Sequence, residues 1–278
     1  MARYLIGAKG RLGHAIEAEF GNDQIISLDR AIYQAWSRPG AAEAVSRFFD
    51  GCKDDSTTIF VASGLLDPRL PSEDLSAVNY LLPRNVVEGA TKTGAKVITF
   101  GTIMEGLLAS RNPYIQSKAA LAEYVAGAAS RNEPVVHVQI HTLYGVGHPS
   151  PFMFLGQMLT SIREKRPFEM TSGRQLREYH HLADEARALR KINAGAALGV
   201  VNLSHGKPVS LRAIAENVFD AFGMRDLLRV GALPEPAEEN YDKVLPPTEL
   251  ARHVAFRDSI PAIVDYMRNC HTPDEVKA

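Results

Sequence analysis

Tyr114 and Lys118 stand four positions apart in Tyr-Ile-Gln-Ser-Lys, a spacing that puts a phenol and an ammonium one turn apart on one helical face. A cation at that distance favours the phenolate and lowers a tyrosine pKa of about 10 by roughly 1–3 units, which makes the side chain a usable acid or base. With 9 tyrosines in 278 residues such a pair arises readily by chance, so its value depends on its surroundings. Thr102, in Phe100-Gly-Thr102, follows an apolar run and offers a hydroxyl to a substrate carbonyl beside the tyrosine. Its plain alternative is to satisfy a loop backbone group.

Gly7-Ala-Lys9-Gly10-Arg11-Leu12-Gly13 follows the first apolar run and opens a helical segment. Glycine suits a turn too tight for a side chain, a backbone that must approach a pyrophosphate, and a close helix–strand contact. The helix N-terminus then presents free N–H groups and a positive dipole end to phosphate. The spacing is G-x-x-G-x-x-G rather than the commoner G-x-G-x-x-G, and a simple glycine-rich turn is the competing reading. Asp29, about twenty residues on, ends the second apolar run, where a carboxylate accepts ribose hydroxyls and repels a 2′-phosphate. Arg30, Lys9 and Arg11 pull the other way, so the choice between NAD and NADP stays open.

Elements must hold these residues together. Apolar runs at 3–6, 24–28, 57–62, 95–100 and 134–140 alternate with helical patterns near 11–20, 39–50, 74–93 and 113–131. That rhythm predicts an α/β chain, a Rossmann-type doubly wound parallel sheet. Asn112-Pro113, a cap followed by proline at the first helical position, starts the helix that carries Tyr114. Only a short strand near 31–36 and the helix at 39–50 fit between Asp29 and residue 57. Beyond about 147 the rhythm weakens to helices near 152–165, 209–222 and 257–268 and apolar pieces at 198–203 and 227–230. We therefore expect a dinucleotide-binding domain over 1–147 and a smaller substrate-binding lobe over 148–278, with a segment of about 178–203 returning to the first domain.

Composition bounds the partners. Thirty-one basic against 32 acidic side chains leave a formal net charge of −1, which speaks against nucleic acid and membrane surfaces. No apolar run is long enough to span a bilayer, and the short N-terminal run is not a secretory signal. Cys52 and Cys270 lie far apart without metal-ligand spacing, which fits a reducing cytoplasm. His180-His181 suggests a metal, but adjacent histidines point apart and no third ligand is spaced with them, so no metal is expected.

Taken together these motifs resemble the extended branch of the short-chain dehydrogenase/reductases, the NAD-dependent epimerase/dehydratase family. Gly7, Gly10 and Gly13 match its glycine motif, Ala62-Ser63 its Ala-Ala, Val78-Asn79 its Val-Asn pair, and Thr102, Tyr114 and Lys118 its catalytic Ser/Thr, Tyr and Lys. Leu143-Tyr144-Gly145-Val-Gly147 is similar to its Val-Tyr-Gly-Pro-Gly. Gly173-Arg-Gln175-Leu-Arg177-Glu-Tyr-His-His181-Leu-Ala-Asp184 is similar to its Gly-x-Gln-x-Arg-Asp-Phe-x-His-Val-x-Asp. Val201-Asn202-Leu-Ser204 and Val209-Ser210 resemble the segment that begins its last lobe. Within the branch, the nucleotide-sugar 4-ketoreductases, CDP-abequose synthase among them, are the nearest resemblance.

The resemblance implies NAD or NADP held by Gly7, Lys9, Gly10, Arg11, Leu12, Gly13, Asp29, Arg30, Ala62, Ser63 and Lys118. It implies a nucleotide-sugar substrate met by Thr142, Phe154, Gln175 and Arg177, the last through a bidentate hold on diphosphate, with a surface ion pair as its alternative. A homodimer built on the helices near 74–93 and 113–131 is implied as well. Dehydratases of the branch read Thr-Asp-Glu where this chain reads Thr102-Ile103-Met104, which removes their elimination acid and base. Where relatives carry Arg-x-x-Asn, this chain has Gln139-Ile-His141-Thr142, so the sugar is open. The expected activity is reduction of a 4-keto nucleotide sugar; a nucleotide-sugar epimerase and a non-catalytic dinucleotide sensor are the alternatives.

Overall fold

The computed structural model describes residues 2–21, 23–51, 57–107 and 110–272; Cys52 lies outside them. In chain order the elements are β1 (Arg3–Ile6), α1 (Arg11–Phe20), β2 (Ile26–Ser27), α2 (Arg30–Tyr33), α3 (Ala42–Phe49), β3 (Thr58–Val61), α4 (Ser72–Ser76), α5 (Leu82–Ala90), β4 (Lys96–Thr102), α6 (Met104–Leu107), α7 (Pro113–Ser130) and β5 (Val135–Ile140). Then follow β6 (Thr142–Tyr144), α8 (Phe154–Glu164), β7 (Phe168–Met170), β8 (Leu176–Arg177), β9 (Tyr179–His181), α9 (Leu182–Ala194) and β10 (Gly199–Asn202). The last are β11 (Val209–Ser210), α10 (Leu211–Ala221), β12 (Leu228–Val230), α11 (Glu249–Arg252) and α12 (Ser259–His271). No helix among the described residues is long and apolar enough to cross a membrane.

Two compact units emerge, one formed by residues 1–140 and 186–203, the other by 141–185 and 204–278. The first unit therefore ends at 140 where 147 was expected, and the returning segment is 186–203. The reason is pairing: β6 and β9 form their own two-stranded sheet, which keeps 142–144 and 179–181 in the second unit.

The first unit is a six-stranded parallel sheet in the order β10-β5-β4-β3-β1-β2 with flanking helices, a Rossmann-type doubly wound fold. β3 is buried at all four positions, as a strand covered on both faces must be. Ile59 and Val61 of β3 meet Val45 and Phe49 of α3, Val86 and Val87 of α5, and Leu121 and Val125 of α7 in one core. The chain winds outward from β1 in two directions, toward β2 and toward β3, so the loops leaving the carboxyl ends of β1 and β3 diverge. Such a switch point is where open α/β sheets bind ligands. At the far edge, Lys96 Nζ donates to the carbonyls of Ile192 and Gly195, both at 2.8 Å, which ties the returning segment to β4.

Two local readings change. Residues 31–36 form a helical turn, α2 running into a 3₁₀ turn over Gln34–Ser37, and no strand. Asp29 caps α2 by accepting the Ala31 N–H at 2.8 Å, so the carboxylate starts a helix where the apolar pattern suggested extended chain. The helix expected over 74–93 contains a wide π turn at Ala77–Leu81. Pro83 supplies no N–H and its ring crowds the carbonyl of residue 79, and a wider turn relieves both problems.

Among the described residues the second unit holds three two-stranded sheets, β6-β9, β8-β11 and β7-β12. Helices α8, α10 and α12 cover a separate core of Met158, Leu159, Phe168, Phe219, Ile263 and Met267.

Candidate functional site

The glycine loop is packed tightly at two of its three glycines. Gly7 has φ of +90°, and a Cβ there would lie 2.5 Å from the Ser63 backbone nitrogen. A Cβ on Gly13 would lie 2.3 Å from the Gly7 carbonyl oxygen, so the loop packs backbone on backbone. Gly10 differs: it is exposed, and a Cβ would meet only that carbonyl, at 3.3 Å. It is also the N-cap of α1, makes no side-chain cap bond and is followed by no acidic residue in the first turn. An uncapped N-terminus with open backbone before it fits a pyrophosphate, which its N–H groups and dipole attract. Lys9 is exposed, and Arg11 and Leu12 are part-buried around the turn. Ala62 and Ser63 follow β3 against Gly7, and Arg30 is exposed at the start of α2. Asp29 is exposed as well, but one carboxylate oxygen is already engaged in capping. Tyr33 was not anticipated: its partly buried phenol interacts with the Gly7 backbone, and burial, foremost, raises its pKa.

Asn112 caps α7 by accepting the Tyr114 N–H at 2.9 Å, which fixes the turn carrying Tyr114 and Lys118. Lys118 is buried, and its Nζ donates to the Phe100 carbonyl at 2.8 Å, two residues before Thr102. Burial lowers the lysine pKa to about 8, against an opposing pull from Glu105. Asn79, in the π turn, accepts the Leu65 N–H at 2.8 Å and donates to the Leu65 carbonyl at 2.9 Å. It also donates to Ser117 Oγ at 3.3 Å, so α7 and the loop after β3 share one clamp.

The expected lowering of the Tyr114 pKa is not what this chain produces. Burial raises it, and the negative charge of Glu105 adds to the rise. Desolvation of the buried phenolate dominates, and the hydrogen bond of the lysine ammonium goes to a backbone carbonyl.

Glu105 is the residue the sequence reading passed over. Its Oε1 accepts the Thr102 N–H at 2.6 Å, and its Oε2 takes His137 Nε2–H at 3.2 Å and Gln139 Nε2–H at 3.3 Å. His137 Nδ1 in turn accepts the Thr99 hydroxyl at 2.8 Å, and both side chains of the His137–Glu105 pair are essentially solvent-free. Gly101 makes room, since a Cβ there would sit 2.1 Å from Glu105 Oε1. A carboxylate thus does lie beside the threonine, contrary to the premise used against dehydration. Every oxygen of it is hydrogen-bonded, however, and it is one carboxylate rather than an acid–base pair.

In the second unit, Arg177 forms an ion pair with Glu239 and donates to the Leu176 carbonyl, so a carboxylate already holds the guanidinium expected to meet diphosphate. Gln175 is buried and bonds Thr171 Oγ1 at 3.0 Å. Thr142 is part-exposed, its N–H donating to the Glu178 carbonyl. Phe154 stacks edge-on against Phe168 at 5.7 Å, a packing role. A cavity of about 480 Å³ opens between Gly145, His181, Arg257 and Tyr266, and none of the expected site residues lines it.

The same unit gathers groups that the sequence reading did not join. His180 and His181 do point apart, but β6 beside β9 brings His141 next to Glu178 and His180. His180 lies between two carboxylates, with Nε2 3.3 Å from Glu178 and Nδ1 2.8 Å from Glu185. Burial opposes its charge, yet those two hydrogen bonds hold its pKa up to about 9.

Residues 4–203 match the model of the NAD dependent epimerase/dehydratase family, and the chain belongs to that family. A search of the curated proteins found no match. Solved structures are similar along nearly the whole chain. A UDP-glucose 4-epimerase from Thermotoga maritima with UDP-glucose has a TM-score of 0.77 at 15% identity, covering 97% of this chain and 99% of that one. MoeE5 in complex with UDP-glucose and NAD has a TM-score of 0.74 at 19% identity, covering 96% and 98%. A dTDP-4-dehydrorhamnose reductase from Bacillus anthracis in complex with NADP has a TM-score of 0.74 at 15% identity, covering 96% and 98%.

Proposed function

We propose that the chain is an NAD(P)H-dependent reductase of a 4-keto nucleotide sugar. The observation that carries this reading is the bond from Lys118 to the Phe100 carbonyl, which fixes the Tyr114 turn of α7 to the strand end bearing Thr102. A nicotinamide dinucleotide, when bound, would supply the hydride that the sugar carbonyl carbon takes up. Tyr114 donates its phenolic proton to the carbonyl oxygen, Thr102 polarises that oxygen by hydrogen bonding, and Lys118 offers positive charge to the phenolate left behind. Its high pKa suits Tyr114 to the role of proton donor in reduction. Among similar structures, those bound to UDP-sugars and the dTDP-4-dehydrorhamnose reductase support this substrate class, and both NAD and NADP complexes occur among them. Two copies are expected to pair through the 72–90 and 113–130 helices.

Consumption of a 4-keto nucleotide sugar with stoichiometric NAD(P)H oxidation tests the reading. Tyr114→Phe should lower turnover by about 10²–10⁴ with little change in dinucleotide affinity. Near-normal turnover by that variant overturns the assigned acid. Dinucleotide retained through purification, with a sugar converted to its epimer and no net oxidation, replaces reduction by epimerisation.

A further inference from the structure

We propose that His141, Glu178 and His180 form a site for one divalent transition-metal ion of the zinc class, within the second unit and apart from Thr102, Tyr114 and Lys118 in the sequence. The three donor atoms, two imidazole nitrogens and one carboxylate oxygen, lie within 4.8 Å of one another. Glu178 Oε2 is 3.3 Å from His180 Nε2 and 3.9 Å from His141 Nε2. Donors around a tetrahedral zinc, each about 2.0–2.1 Å from the ion, stand roughly 3.3–3.5 Å apart, so a small closing movement completes the set. His141 is 8% exposed, Glu178 4% and His180 1%, and two imidazoles with a carboxylate suit zinc or cobalt rather than magnesium or calcium.

Three further observations fit an ion. Glu185 Oε2 lies 2.8 Å from His180 Nδ1, so Nδ1–H is donated to a buried carboxylate and Nε2, 3.3 Å from Glu178, is the nitrogen that can exchange its proton for an ion. That carboxylate–histidine pair is the usual outer support of a metal-bound imidazole. Second, one oxygen is oversubscribed: Glu178 Oε2 takes the His205 N–H at 2.8 Å while facing His141, His180 and His205 Nδ1, the last at 3.5 Å. A cation among these groups lets the nitrogens present lone pairs without repulsion. Third, Ser204 Oγ, 2.7 Å from His141 Nε2, is positioned to donate to that lone pair and to yield it to the ion. His205 Nδ1 accepts the Lys207 N–H, which leaves the fourth position to water or to His205 on release of that bond. Bound there, the ion would join residues 141 and 178–180, nearly forty positions apart in the chain.

The full chain, stripped by dialysis against a chelator, is titrated with Zn²⁺ by calorimetry and with Co²⁺ by visible absorption. The expected result is one equivalent of each per chain, with the intense visible bands of four-coordinate cobalt and a saturable rise in Tm. His141→Gln and Glu178→Gln, checked for folding by circular dichroism, should bind at least tenfold more weakly. Glu185→Gln should keep the stoichiometry and lose about 10–100-fold in affinity. His253→Gln, which removes the exposed His253–Glu249 pair, should change nothing. Absence of saturable binding by the folded parent overturns the site, as does parental affinity in folded His141→Gln; the cluster is then a histidine shared between two carboxylates.

Discussion

The carboxylate of Glu105 accepts the backbone N–H of Thr102 and, through its other oxygen, a proton of buried His137. The strand end that presents the threonine is thereby held from behind. Register explains the meeting: Thr99 on β4 pairs with His137 on β5, and Glu105 on α6 folds back over Gly101. Glu105→Gln keeps the shape but removes the charge that raises the Tyr114 pKa and supports that of Lys118. Both pKa values should fall, read by NMR of labelled tyrosine and lysine. Stability should drop by about 1–3 kcal/mol in denaturant titration, the range for a weakened buried hydrogen-bond network.

The three loop glycines should respond differently to substitution. Gly7→Ala and Gly13→Ala drive a Cβ into backbone at 2.5 and 2.3 Å, and both should lower Tm sharply. Gly10→Val meets little protein, so its Tm should stay near the parent while dinucleotide binding disappears in calorimetry. Unchanged affinity in Gly10→Val would show that the loop does not hold pyrophosphate.

Cofactor choice can be separated from helix capping. Asp29→Ala removes both the charge and the bond to Ala31, a cap worth about 1 kcal/mol. Asp29→Asn keeps an acceptor for the cap and removes only the charge. If Asp29 faces the adenosine ribose, Asn should raise NADPH affinity relative to NADH several-fold at unchanged Tm, as read by fluorescence titration. An unaltered ratio would assign Asp29 to capping alone.

Buried Lys118 gives stability an alkaline dependence. With its pKa near 8 in the folded chain and about 10.5 unfolded, the unfolded state binds more protons between those values. Stability on this group's account is therefore lowest below pH 8 and rises between pH 8 and 10, by up to about 2–3 kcal/mol. Above about pH 10 the raised pKa of Tyr114 works against it, since unfolded tyrosine ionises first. Lys118→Met should flatten the rise in denaturant midpoints measured between pH 7.5 and 9.5, and should weaken both turnover and dinucleotide binding.

Much of the first unit was legible because its signals are local. The glycine loop follows a four-residue strand, and Asn112-Pro113 marks the start of α7 to the residue. The helix over Leu182–Ala194 was equally local, with buried Leu182, Ala186, Leu189 and Ile192 spaced for one face, and it was overlooked beside the motif preceding it. At 31–36, Ile32, Tyr33 and Trp36 imitated a strand, and only the capping carboxylate of Asp29 argued otherwise. Glu105 with His137, and His141 with Glu178 and His180, depend on strand register across tens of residues. No local spacing could announce them.

The returning segment bears on how the chain acquires its fold. β10 covers the outer edge of β5, yet its residues 199–202 come only after the second-unit stretch 141–185 and α9. During synthesis the parallel sheet stays one strand short until that segment leaves the ribosome, with the N–H and C=O groups of β5 open to mispairing. Lys96 likewise waits for the carbonyls of Ile192 and Gly195. A fragment ending at 147 would keep the whole glycine loop and the Tyr114 helix but retain that raw edge for good. Such an edge favours self-association, so residues 1–147 are not a portable module.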